Sequence, residues 1–139
     1  MKKTLTLVII FLFISCDTRI ETRKNNPDDI KDAESKVTEL YQLFDKQDSI
    51  GLRKHIPDSM YIKFIETLKK IKYKEGNMLN AKNTSIYTEV TIKNKELPFK
   101  YYEYHIDVTY EKGRTREDII IEGDEKNLKI SHFNLREIE

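Results

Sequence analysis

The chain has 139 residues, with 25 Lys and Arg against 24 Asp and Glu and a net charge of +1, a balance that offers no global field to draw nucleic acid or an anionic surface. Its four glycines, Gly51, Gly76, Gly113 and Gly123, never cluster, which excludes a phosphate-cradling loop and a dinucleotide fingerprint. There is no Gly-x-Ser-x-Gly elbow, and a single cysteine rules out a disulfide within the chain.

From Leu5 to Ile14 the chain is apolar with only Thr6 interrupting, about half of the roughly 20 residues a membrane-spanning helix needs. Lys2 and Lys3 precede this segment and the small residue Ser15 comes after it, the arrangement of a targeting segment that is cut away. Phe13-Ile14-Ser15-Cys16 resembles the lipobox of bacterial lipoproteins, with Phe13 where that family usually has Leu. The resemblance implies a signal peptide over residues 1–15, cleavage before Cys16, and acylation of Cys16, palmitate included. The mature chain would then be exported and anchored to the lipid bilayer of a bacterial membrane, on its periplasmic or cell-surface side. An ordinary secretory peptide that ends near a cysteine is the plainer alternative. Acylation also accounts for an odd, lone thiol in an exported chain, and several acyl chains anchor more firmly than one. Loss of Lys2 and Lys3 leaves 23 basic residues against 24 acidic ones, a net charge of −1.

Residues 17–26, DTRIETRKNN, are polar and lack an apolar period, so residues 16–26 read as the lipidated cysteine and then a solvated tether. As a flexible coil this tether would reach roughly 18 Å, which keeps the remainder of the chain near the lipid. Residues 27–139 suffice for one compact domain and not for two.

The first helix is punctuated by Asn26 as cap, Pro27 at the first helical position, and Asp28 and Asp29 against the positive end of the dipole. Ile30, Ala33, Val37, Leu40, Tyr41 and Phe44 recur at spacings of three and four, which predicts an amphipathic helix to about Lys46. Asp48 or Ser49 caps a short second helix with Ile50, Leu52 and Ile56, and Pro57 terminates it. Asp58 or Ser59 caps a third, with Met60, Tyr61, Phe64, Ile65, Leu68 and Ile71 along one side and Gly76 beyond its end.

After Gly76 the period becomes alternating and β-branched and aromatic residues dominate. Ile86, Thr88, Val90 and Ile92 share one face of SIYTEVTIK; Tyr102, Tyr104, Ile106, Val108 and Tyr110 share one face of FKYYEYHIDVTY. Lys112-Gly113 turns the chain into TREDIIIEG, and Asp124 to Asn127 turns it into LKISHFNL. A two-residue loop at Lys112-Gly113 would set Ile106 opposite Ile119, Tyr104 opposite Ile121, and Asp118 opposite Asp107. Leu128 and Ile130 share a parity that Phe133 and Leu135 break, which predicts a bulge near Ser131 or His132.

The fold class is therefore α+β, with three helices packed on one face of a four-stranded antiparallel sheet. This order, together with ELYQLFDKQDSIGLRKHI, where Phe44 is followed by Gln47-Asp48 and then Leu52, resembles small exported domains of the NTF2-like, cystatin-like superfamily. The resemblance implies a curved sheet and a cone between helices and sheet that serves as catalytic pocket, ligand pocket or plain core.

Enzymes of that superfamily usually place an Asp–His pair or similar groups in the cone, and this chain has His55, His105 and His132. Alternation puts His105 and Asp107 on the face away from the helices, where with Asp118 a weak metal site can be drawn; a polar outer face is the ordinary reading, since zinc needs three or four convergent ligands. His132, near the expected bulge, can turn inward as a catalytic or a structural residue, and His55 suits a helix C-terminus. Tyr87, Tyr101, Tyr102, Tyr104 and Tyr110 either line a pocket or suit strands with one face in the core. Lys69, Lys70, Lys72 and Lys74 offset a helix dipole or form a headgroup-facing patch. Asp48-Ser49 and Asp58-Ser59 resemble a short bacterial O-glycosylation sequence, though helix capping accounts for both.

No cofactor and no metal is implied. The preferred expectation is a membrane-anchored, non-enzymatic binding or interaction module whose partner is an envelope protein or a small apolar ligand, contacted through Tyr102, Tyr104, Ile106 and His132. An immunity or inhibitor protein belongs to the same class. The alternative is a hydrolase-like or isomerase-like enzyme using the cone with His132 or a buried carboxylate. Convergence of His132 with an acid in a cavity favours the enzyme, and a filled interior favours the module.

Overall fold

The computed structural model describes residues 19–94 and 96–138; the apolar leader, the expected signal peptide and Cys16 lie outside the described residues. In chain order the elements are β1 (Ile20–Lys24), α1 (Pro27–Asp45), α2 (Ser49–His55), α3 (Asp58–Glu75), β2 (Met78–Lys93), β3 (Phe99–Tyr110), β4 (Arg114–Gly123) and β5 (Lys129–Ile138). The fold is α+β: the strands form one antiparallel sheet in the order β1-β2-β3-β4-β5, and the helices supply the apolar residues that cover one of its faces.

The helices start and stop where the capping residues dictate. Asn26 accepts from the Asp28 amide at the head of α1, and Asp48 accepts from the Gly51 amide at the head of α2. Pro57, rather than Asp58 or Ser59, precedes α3, and no side chain caps it; Pro57 lacks an N–H, and its carbonyl takes the Tyr61 amide. Gly76 ends α3 at φ +84°, a left-handed backbone that suits glycine.

Three features of the sheet differ from expectation. The polar segment expected as tether contains β1, whose Ile20–Lys24 pairs with Lys93–Glu89, so the sheet has five strands and not four. Backbone pairing and polar side-chain contacts such as Thr22 to Thr91 and Arg23 to Asp29 hold β1 to the edge, its side chains are almost all exposed, and such a strand leaves no apolar signature. Second, β2 begins at Met78 rather than near Ser85, and register shifts between Met78 and Asn80 and between Asn83 and Ser85 erase alternation there. Third, the Tyr110 amide donates to Gly113 O at 2.8 Å, so Glu111-Lys112 forms the two-residue turn. Tyr104 therefore faces Ile119, Tyr102 faces Ile121 and Ile106 faces Glu117. The slip is by two residues, which preserves parity and keeps the apolar residues on the helix side. The expected bulge is present: Ile120 pairs with His132 and Ile121 with Ile130, leaving Ser131 extra.

The core lies between this sheet face and the helices. Val90, Tyr102, Tyr104, Ile106, Val108, Ile119, Ile121 and Ile130 meet Ala33, Val37, Leu40, Leu52, Ile56 and Phe64, all buried. Three β3 side chains also fasten the first turns of α1. Lys100 Nζ and the Tyr102 hydroxyl donate to Asp32 Oδ2 at 2.8 and 2.7 Å, and the Tyr104 hydroxyl donates to Ala33 O at 2.9 Å.

Candidate functional site

The contact residues expected from the sequence do not come together. Tyr102, Tyr104 and Ile106 are sealed in the core with at most 1% exposure, whereas His132 sits exposed on the opposite sheet face, across from Ile120. Outward parity at the bulge, not inward, sets its direction. Of the outer-face trio, His105 and Asp118 meet and Asp107 stands apart. His105 Nδ1 lies 2.6 Å from Asp118 Oδ1, and Asp107 faces Arg116, which donates to it from Nε and a terminal nitrogen at 2.7 and 3.0 Å. Among the described residues no group of three His, Cys, Asp or Glu side chains is placed to hold a metal ion. The outer face is polar and charge-paired, with Arg136 3.6 Å from Asp118 as well. Burial raises the Asp118 carboxyl, but the His105 hydrogen bond and Arg136 outweigh it and hold the group below its ordinary value.

Among the described residues three acids are buried, Asp29, Glu75 and Glu117, and of these Glu117 is fully enclosed. Glu117 on β4 has no exposed surface. Its Oε2 takes the Tyr41 hydroxyl, and its Oε1 takes the hydroxyls of Tyr110 and Thr115, each at 3.2 Å. Burial raises the Glu117 carboxyl above its ordinary value, against the pull of those three donors. Burial and then the adjoining acid raise both tyrosine hydroxyls. A buried carboxyl that holds its proton more tightly is the kind of group that general-acid catalysis uses, but here it is closed off. Tyr41 lines a cleft of about 290 Å³ between α1 and the start of β2, Tyr110 lines one of about 90 Å³ at the end of α3, and Glu117 lines neither. The tyrosines stand as plugs between the clefts and the acid. Alternation in TREDIIIEG puts Glu117 with Ile119 and Ile121 on the inward face, a signal in the sequence that a pattern of paired histidine and acid does not include.

The open concavity with most apolar character lies on the helical face. A groove of about 450 Å³ runs between the end of α1, α2 and α3. Leu52 is buried in its floor and Phe44, Tyr61, Ile65 and Leu68 are half-buried there, while Lys69 and Lys72 stand exposed at its rim. Behind it the rings of Phe44, Phe64 and Phe133 pack in series, with centroids 5.1 and 4.5 Å apart. The Arg53 guanidinium covers Tyr61 with Cζ 4.1 Å from the ring centre. On α3 the spacing Ile62, Lys69, Tyr73 places two exposed apolar side chains on the stripe that carries the rim lysine. The ion pairs at the end of α3 run through Lys74, to Glu75 and Glu137, and leave Lys69 and Lys72 facing the groove. No helix among the described residues is long and apolar enough to cross a membrane.

The chain matches no protein-family model, no curated protein and no solved structure.

Proposed function

We propose that the chain is a bacterial envelope lipoprotein, held to the bilayer through acylated Cys16, whose domain is a non-enzymatic module that docks a protein segment on its helical face. The occupant is a segment with one or two apolar anchors flanked by acidic residues. The observation that carries this reading is the contrast between a filled interior and an open, lysine-rimmed apolar groove. Aromatic and Arg side chains such as Tyr61, Tyr73 and Arg53 are the types that anchor protein interfaces, and Lys69 and Lys72 select for negative charge in the partner. Helices followed by an antiparallel meander support a likeness to NTF2-like domains in which the space between layers serves as core; β1 is an addition to the four expected strands. An immunity or inhibitor protein would dock in the same manner. The enzymatic alternative requires Glu117 to meet a substrate, and three hydroxyl donors and complete burial stand against it.

Site-specific photo-crosslinking in intact cells tests the reading. A crosslinker at Tyr73 should give a discrete protein adduct, one at Arg114 on the outer sheet face should not, and the double variant Lys69→Glu/Lys72→Glu should abolish the first. Equal adducts from both faces, no adduct from either, or an adduct indifferent to the charge reversal would contradict it.

A further inference from the structure

The pairing of β1 decides which end of the domain faces the bilayer. Ile20 lies opposite Lys93, and the Asn94 amide donates to Arg19 O at 2.9 Å. The chain therefore arrives at the end of the sheet where β2 turns into β3. From Cys16 to Ile20 there are four residues, at most about 14 Å of fully extended chain. That end carries three large exposed apolar side chains: Ile20 at 59%, Leu97 at 46% and Phe99 at 48% exposure. Ile20 and Phe99 share the outer face, because Thr22 is hydrogen-bonded to Thr91 through their side chains and Thr91 is the register partner of Phe99.

The helix side of the same end is basic. Lys100 pairs in register with Gly123, so the β4–β5 turn lies beside Phe99. Here a cleft of about 390 Å³ holds Lys36, Lys54, Lys100 and Lys126 against Asp32 and Glu125. Lys100 is committed to Asp32 and, at 3.4 Å, to Glu125, so Lys36, Lys54 and Lys126 supply the positive excess. An apolar rim beside a cationic cleft suits an anionic lipid surface, where apolar side chains enter the headgroup boundary and lysines meet phosphates. The helical-face groove lies toward the opposite end, since α1 runs from Asn25 beside Thr88 to Asp45 beside Met78.

We infer that Ile20, Leu97 and Phe99, together with the Lys36/Lys54/Lys126 cleft, form a foot that rests on an anionic bilayer surface and points the helical groove away from it. This rests on acylation of Cys16. The test uses the full chain, purified from membranes and reconstituted in vesicles of phosphatidylethanolamine and phosphatidylglycerol, with Leu97→Cys or Tyr73→Cys carrying an environment-sensitive dye. Blocked Cys16 leaves the introduced thiol as the labelled one. Dye at position 97 should emit to the blue and be quenched by brominated lipid, dye at position 73 should do neither, and Lys54→Glu/Lys126→Glu should reduce quenching at 97. Dye uptake by Cys16 in the unsubstituted chain would overturn the anchor and the foot together. A blocked Cys16 with position 97 unquenched, or with 97 and 73 quenched alike, would overturn the foot alone.

Discussion

The Tyr41 hydroxyl on α1 donates to the Glu117 carboxylate on β4, joining helix and sheet across 76 residues of sequence at an acid with no exposed surface. Removing that donor leaves a buried oxygen without its partner. Tyr41→Phe should therefore lower stability by about 1–3 kcal/mol, the usual cost of an unsatisfied buried polar group, measured by urea denaturation at neutral pH. A loss below about 0.5 kcal/mol would mean that water reaches Glu117.

The same acid sets a pH signature. Burial raises the Glu117 carboxyl in the folded state, so the folded chain holds this proton more tightly than the unfolded one. Its contribution is fully present below the unfolded value and is lost as pH rises through the folded value. Asp32 has the opposite sign. Burial raises it, but the hydrogen bonds from Lys100 and Tyr102 outweigh this and leave it below its ordinary value, so its contribution is present above the unfolded value and is lost as pH falls. Urea unfolding from about pH 3 to about pH 8 should show that Glu117→Gln removes a decline in stability with rising pH, and that Asp32→Asn removes a gain. Parallel profiles for both variants would contradict the assignment.

His105 lies 2.6 Å from Asp118 on the outer face with a side chain 39% exposed. Partly exposed pairs on a polar sheet face contribute little, so His105→Ala should cost no more than about 1 kcal/mol in thermal or urea unfolding. A loss of several kcal/mol would mean that the strand is turned the other way, with His105 in the core.

The edge strand makes a prediction that a flexible tether does not. The Asn25 amide donates to Thr88 O, and the Asn94 amide to Arg19 O, both at 2.9 Å. Hydrogen exchange monitored by NMR should find both amides protected relative to an unstructured peptide. Exchange at the unstructured rate would dissolve β1 and with it the short link from Cys16 to the sheet.

Much of this architecture is legible in the residues. Asn26-Pro27, Asp48 and Gly76 mark helix ends by local hydrogen bonding and backbone geometry, which act within a turn of the chain. Alternation from Tyr102 to Tyr110 marks β3, and the broken parity after Ile130 marks the bulge at Ser131. The features that escape depend on partners distant in sequence. Ile20–Lys24 is a strand because an edge of β2 is free to pair with it, not because its side chains alternate. The β3–β4 turn lies one residue earlier than expected, which shifts the register by two, because Glu111-Lys112 and Lys112-Gly113 both suit a two-residue turn. The groove at Phe44, Leu52 and Leu68 comes from how α2 and α3 pack together, which periodicity within one helix does not encode. Glu117 is within reach of sequence reasoning, since an acid at an inward position between Thr115 and Ile119 needs donors, and Tyr41 and Tyr110 are there to supply them.

Acylation of Cys16 is the premise on which the lipoprotein reading and the membrane foot rest. Intact-mass spectrometry of the chain extracted from membranes tests it most directly. The mass should correspond to a chain that starts at Cys16 and carries acyl groups, with the Cys16→Ala chain unacylated. A full-length chain that retains Met1 and a free thiol, recovered from the cytosol, would contradict it.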